Sequence, residues 1–363
     1  MIILLFVIFI AAMGVLYAVL PKSEFSETEK RYLAGAPEFS LKALGSGEFT
    51  ADFEEFLADQ TPFRKFFVSV NSYFELFKGN NGSDGIYLGS DGWLIEKPFD
   101  RSNKFDKNIK RIKEFSEKSG IPAAITAVPS KGYIYSDKLP KNSLAYLDGE
   151  YREKLENCGM KYIDLFGAMK AAKSEKQLFY KTDHHWTSAG AYLGYTEICR
   201  ALGLDAVPEI GFDIEETPGF FGTSYSTSCY TLTEPDTLTV MRSKKSGGAA
   251  EVIIREDKEE TFDNMFFADA LEQGDKYVVF LNGNHPMVTI KTGNDGGKLL
   301  LIKDSFAHCL APFLAENFSE IVMVDLRYYK KPISELISAE GFDRMLFVYG
   351  MENIAESRDV ILK

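Results

Sequence analysis

Four histidines occur in the chain, and two are neighbours in Lys181-Thr182-Asp183-His184-His185-Trp186-Thr187-Ser188-Ala189-Gly190. The Asp-x-His spacing of Asp183 and His185 is the informative part. A carboxylate two residues before a histidine on a loop can accept the imidazole Nδ1–H, which fixes the tautomer and leaves Nε2 free as a base. Such a base needs a nucleophile. Lys303-Asp304-Ser305-Phe306-Ala307 follows the apolar run Leu299-Leu300-Leu301-Ile302 and opens a helical pattern. Ser305 is therefore expected at the C-terminal end of a strand. There the N-terminus of the next helix offers free N–H groups and a positive dipole end to a developing oxyanion. A serine in this place also suits a plain N-cap. Its pairing with the Asp183/His185 loop gives it a chemical role. The chemistry is nucleophilic acyl transfer, with Ser305 as nucleophile, His185 as base and Asp183 as the carboxylate that orients it.

The other candidates read more plainly. Adjacent histidines point apart and the sequence places no third ligand, so no metal site is expected at His184, which packs or hydrogen-bonds on its loop. His308, three residues after Ser305, reads as helix packing. Asn282-Gly283-Asn284-His285-Pro286 reads as a β-turn rather than a substrate loop, and Arg242-Ser243-Lys244-Lys245 as a solvated loop. Cys158, Cys199, Cys229 and Cys309 form no C-x-x-C pair, which leaves a zinc site or a thioredoxin-like motif without support. Cys199 and Cys309 fall in apolar helical patterns and read as buried thiols. No cofactor is called for.

The elements that must position these groups follow from periodicity. Residues 104–119 form an amphipathic helix stopped by Gly120; 121–128 is a buried strand before Pro129; 149–157 is helical; and 161–166 is a second short strand. Residues 189–202 form a helix that Thr187 or Ser188 can cap and Gly203 ends. After residue 295 the α/β pattern resumes, with strands at 298–303, 321–326 and 345–349 and helices from about 307 and over 332–339. The expected fold is α/β, a parallel sheet with helices on both faces. Between its halves, 206–295 reads as a mostly β insertion with short runs at 238–241, 251–255, 277–281 and 287–291. Upstream, 48–78 shows aromatic residues at helical spacing and reads as a core-packing helix pair. Residues 85–95 read as a hairpin turning at Ser90-Asp91-Gly92. The organisation is thus a segment 1–21, a tether, helix pair and hairpin over 22–95, a first half 96–205, the insertion 206–295 and a second half 296–363.

Residues 2–20 carry no charge and would make a helix about 28 Å long, the thickness of a bilayer core. No A-x-A-like cleavage site follows, so an uncleaved transmembrane anchor is favoured over a cleaved signal; either way the body is exported. The net charge of −12 argues against nucleic acid as partner, because phosphate binding needs a basic footprint. With 45% hydrophobic residues in 363, the chain can bury a sizeable core.

His185-Trp186-Thr187-Ser188-Ala189-Gly190 resembles the base block of SGNH hydrolases, and Asp304-Ser305 resembles their nucleophile block. Here the histidine comes first and the spacing is Asp-x-His, as in the circularly permuted SGNH enzymes of the alginate O-acetyltransferase type. Asp183-His184-His185-Trp186 is also the signature of the related DHHW family of exported bacterial proteins. Asp59-Gln60-Thr61-Pro62-Phe63-Arg64 and Tyr87-Leu88-Gly89-Ser90-Asp91-Gly92-Trp93-Leu94 are further matches. The resemblance implies a permuted SGNH-like domain and an O-acetyltransferase acting on a cell-envelope polysaccharide. Its alternatives are an acetylesterase or a silent polysaccharide-binding or assembly protein. It also implies a membrane-bound O-acyltransferase as the partner that delivers acetyl groups. Two further site candidates come from it: Asn353, one position later than the oxyanion-hole Asn of Gly-x-Asn-Asp, and Arg327, where related enzymes place an arginine near the site. Lys303 stands where those enzymes carry Gly.

Overall fold

Leu299, Leu300, Leu301 and Ile302 are all fully buried. Side chains alternate along a strand, so this requires a cover on both of its faces. The computed structural model, which describes residues 1–26, 31–357 and 362, supplies that cover. Eight strands build the main sheet: β1 Ala123–Val128, β2 Lys161–Ile163, β5 Ala249–Arg255, β6 Glu259–Asn264, β7 Met287–Lys291, β8 Lys298–Lys303, β9 Glu320–Val324 and β10 Arg344–Gly350. A separate antiparallel pair, β3 Phe212–Phe220 and β4 Asp236–Ser243, lies outside it. The order across the main sheet is β6-β5-β7-β9-β8-β10-β1-β2.

The five strands from β9 to β2 run parallel. Leu299 and Leu301 of β8 face a core shared with α5 (Ser188–Leu202) and α6 (Phe306–Leu314). Leu300 and Ile302 face a second core with Phe105, Ile109 and Ile112 of α4 (Lys104–Ser119). Helices therefore cover both faces, as expected.

The expectation of a purely parallel sheet is corrected. β7 pairs antiparallel with β9, and β5 and β6 continue outward in the same sense, so the sheet is mixed. The stretch 206–295, read as a mostly β insertion, adds three strands to one edge of this sheet. Val288 and Ile290 of β7 are buried there, where β9 would otherwise present unpaired backbone groups. Residues 277–281, expected as a strand, instead start as a single 3-10 turn, Lys276–Val279, followed by left-handed Leu281 and Asn282. A short apolar run signals burial without distinguishing strand from helical turn. The expected hairpin is present: the strands Ile86–Leu88 and Leu94–Glu96 are neighbours in a small sheet, joined through a 3-10 turn at Ser90–Gly92.

Packing divides the chain into two units, 87–224 with 234–363, described above, and 1–86 with 225–233. In the second of these, α1 (Ile2–Val19) is long and apolar enough to cross a membrane and buries none of its residues. The stretch expected as a tether ahead of the helix pair, of which 27–30 lie outside the described residues, contains a helix, Leu41–Ser46, capped by the Ser40 hydroxyl. The expected helix pair is present as α2 (Glu48–Asp59) and α3 (Arg64–Phe77). Its apolar stripe, read as core-packing, is exposed: α3 buries Ser69 and Ser72 and leaves Phe66, Val70, Phe74 and Phe77 in the open.

Candidate active site

The loop carrying Asp183 is a tight turn. Tyr180 N–H donates to His185 C=O, and Thr187 N–H to Leu178 C=O. The buried Asp236 carboxylate, at the start of β4, accepts from Lys181 N–H, Thr182 N–H and the Thr182 hydroxyl, at 3.0, 2.7 and 2.7 Å. Thr187 caps α5 by accepting from Gly190 N–H at 3.2 Å. Gly190 has to be glycine: a Cβ there would lie 2.3 Å from Leu178 O.

Ser305 leaves the end of β8, one of the inner parallel strands. α6 begins at the next residue. Its hydroxyl makes no cap bond; Asp304 Oδ1 takes that part by accepting from Phe306 N–H at 3.0 Å. The Ser305 hydroxyl instead lies 2.7 Å from His185 Nε2. His185 Nδ1 lies 2.6 Å from Asp183 Oδ1, which also accepts from His185 N–H at 2.8 Å. The imidazole is stacked 4.0 Å over Tyr277 at 10° and meets Phe306 edge-on at 5.2 Å. Three residues chosen from the sequence thus form one buried hydrogen-bonded series, 120 residues apart at its central link.

Asp183 is buried, which alone would raise its pKa. The charges of His185 and His184 and the hydrogen bonds from His185 and Thr223 outweigh that and hold it well below the usual carboxylate value. Its other oxygen accepts from Thr223 N–H and the Thr223 hydroxyl at 2.7 and 3.1 Å. His184 turns to the same threonine, its Nδ1 2.6 Å from Thr223 Oγ1. Desolvation and the neighbouring His185 push the His184 pKa down to about 4. Ligand-type atoms of Asp183, His184 and His185 lie within 4.8 Å of one another. Two of them are bonded to each other and the third to Thr223, so the set reads as a hydrogen-bond chain.

Motif reading missed three supporting groups. Thr223 and Tyr277 lie in the stretch taken as an insertion. Lys131, just beyond β1, is buried and donates from Nζ to Asp183 C=O at 2.8 Å, with Glu96 Oε2 3.4 Å away. The strand-end position after residue 128 was its signal. Asp304 Oδ2 accepts from Gly350 N–H at 2.6 Å and Asn353 Nδ2 at 2.7 Å, so Asn353 is brought to the nucleophile block. Among the described residues, no acceptor takes the Ser305 N–H.

Arg327 follows β9 and is not bonded to Ser305, His185 or Asp183. Its guanidinium grips Asp325 at 2.9 and 2.7 Å and reaches Asn284 Oδ1 at 3.1 Å. Lys303 is buried; its ammonium lies 2.6 Å from His308 Nε2 and 3.2 Å from Asp325 Oδ2. Burial, then the Lys303 charge, holds the His308 pKa well below normal, which suits a neutral ring accepting from the ammonium. His308 thus belongs to a buried polar network behind Ser305.

A family model described as DHHW protein matches residues 131–324, over half of the chain. The chain belongs to the DHHW family. In this DHHW protein the loop Asp183–Trp186 lies inside the matched region, as do the partners of Asp183 named above, His185, Thr223 and Lys131. Among curated proteins it is 25% identical over 173 residues to a probable alginate O-acetylase AlgJ of Pseudomonas syringae pv. tomato, covering 44% of each chain. The Pseudomonas aeruginosa protein of the same name is 24% identical over 173 residues, again 44% of each. The DHHW chain therefore aligns with under half the length of these relatives. Among solved structures, a DHHW family protein from Eubacterium siraeum superposes with a TM-score of 0.66 at 22% identity, covering 76% of this chain and 94% of that one. PatB1 of Bacillus cereus, solved with a sulfonyl adduct, gives 0.65 at 22% identity, covering 78% and 100%. These likenesses establish a shared α/β fold.

Proposed function

We propose that the chain is an exported serine acyltransferase that passes an acetyl group, through an acyl-Ser305 intermediate, to a hydroxyl of a cell-envelope polysaccharide. The observation that carries this reading is the 2.7 Å approach of Ser305 Oγ to His185 Nε2, with Asp183 on the other ring nitrogen. Asp183 accepts from Nδ1–H, so Nε2 accepts from the serine hydroxyl. Attack of Oγ on an acyl carbonyl moves the hydroxyl proton to His185, which returns it to the departing oxygen. The sugar hydroxyl then attacks the acyl-serine and gives its proton to His185, which passes it to Ser305 Oγ as the acyl–serine bond breaks. The Ser305 N–H, at the positive end of α6, is the first oxyanion donor. Asn353 lends one amide hydrogen to Asp304 and keeps a second for the same oxyanion. The Arg327 guanidinium, held by Asp325, is proposed to meet substrate beyond the strand ends, where α/β sheets bind ligands.

The order of the blocks supports a circularly permuted SGNH reading, since the base loop precedes the nucleophile strand. The AlgJ relatives are named for acetylation of alginate, which supports a polysaccharide acceptor. With α1 as a membrane anchor the site lies outside the cell, and a membrane-bound O-acyltransferase is the proposed source of acetyl groups.

The test is turnover of a chromogenic acetyl ester by the full-length chain, with and without a polysaccharide acceptor. Ser305→Ala is expected to lower turnover by on the order of a thousandfold or more, and acetyl should appear on the glycan. Turnover indifferent to Ser305→Ala overturns the mechanism. Turnover without acetylated glycan makes the protein an esterase, and a folded chain without turnover makes it a binding protein.

A further inference from the structure

The helix α3 is built the wrong way round for a helix in water. Phe66, Phe67, Val70, Phe74 and Phe77 fall within an arc of about 100°, the width of an ordinary core-facing stripe. Yet this is its open side: Phe66 is 62% and Phe77 85% exposed, whereas Ser72, opposite them, is fully buried. Partners sit on the polar side and at the rim of the stripe. Ser69 Oγ lies 2.6 Å from Thr231 Oγ1, the Tyr73 hydroxyl accepts from Leu232 N–H at 3.0 Å, and the Tyr73 and Tyr230 rings meet at 5.4 Å. Soluble proteins rarely leave so continuous an apolar face uncovered.

The corner that begins α3 is tied to the end of α1. The Gln60 side chain accepts from Ser23 N–H at 3.0 Å and donates to Ser23 C=O at 2.8 Å. Beside it, Asp59 accepts from Arg31 at 2.8 and 2.5 Å and from Ala34 N–H at 2.9 Å. Ser23 is four residues past Val19, so the corner lies within roughly 14 Å of the end of α1. The Phe67 ring stands 6.3 Å from Phe9 of α1, which makes the open stripe continuous with the apolar surface of that helix. Arg64, Lys65 and Lys78 mark the two ends of the stripe, suited to a headgroup layer.

We infer that α3 is a monotopic membrane element, its phenylalanine face buried in the phospholipid bilayer that α1 enters. The Asp59-Gln60 corner is the clamp that holds it there. This rests on the reading of α1 as a span, and the test separates the two. Full-length Phe74→Trp and, separately, Phe9→Trp are reconstituted in phosphatidylcholine vesicles with and without brominated acyl chains, which quench indoles they touch. The native Trp93 and Trp186 are buried and give the background. Both introduced indoles are expected to lose most of their emission to the brominated lipid. Quenching of Phe9→Trp alone, with water-like emission from Phe74→Trp, overturns the inference and leaves the span. Phe74→Trp emission that is blue-shifted but unquenched also overturns it, because a protein surface then covers the face. If neither is quenched, the span reading fails and the inference with it.

Discussion

At the scale of residues, the proposed mechanism depends on Asp183 being charged in a buried place. Its lowered pKa sets a sign. A carboxylate held below its unfolded value of about 4 contributes stability at pH above that value. The contribution is lost as acid brings the pH down through the folded pKa. Thermal unfolding should therefore show Asp183→Asn less stable than the parent near neutral pH, with the gap closing as the pH falls below about 4. The same variant presents the wrong hydrogen-bonding group to His185 Nδ1, and ester turnover should drop by about four orders of magnitude. Ser305→Ala, by contrast, should leave stability within about 1 kcal/mol of the parent, because the serine hydroxyl caps no helix and removes only one hydrogen bond. Asp183, His185 and Ser305 were legible because local chemistry marks them: a spacing that suits an imidazole, and a serine at a strand end. Thr223, Tyr277 and Lys131 carry no such mark. A threonine, a tyrosine and a lysine become site residues only through the tertiary contact that brings them to the loop.

At the scale of elements, the parallel strands were readable because burial on both faces writes them as unbroken apolar runs, as in Leu299 to Ile302. Periodicity does not say what a face packs against. The stripe of α3 has the spacing of a core helix, and only its surroundings reveal that the opposite side is buried. The antiparallel edge β5-β6-β7 was hidden for a related reason, since pairing partners far along the chain leave no local trace. Close approaches are equally silent in sequence and give a sharp test. A Cβ on Gly222 would fall 2.0 Å from Asp183 Cβ and 2.3 Å from its Oδ2. Gly222→Ala must displace that carboxylate, and a shift of about 1 Å in a positioning group costs on the order of a hundredfold in turnover. Steady-state assay of this variant should show the loss mainly in kcat, with the fold retained by circular dichroism.

At the scale of the whole molecule, α1 predicts where the protein is found. Full-length chain should pellet with membranes, and protease added to intact cells or protoplasts should cut its body; a soluble cytoplasmic product would contradict the proposed localisation. The sheet also carries a consequence for how the protein is made. β1 has β2 on one side, a neighbour translated soon after it, but on the other side it pairs with β10, from Met345↔Ala123 to Gly350↔Val128. That second partner starts at Arg344, translated long after Val128. Until then that side of β1 lacks its partner, and synthesis alone keeps it so for many seconds at about 5–20 residues per second. The parallel core of the sheet therefore closes late, only once β10 has been made and can slot between β1 and β8.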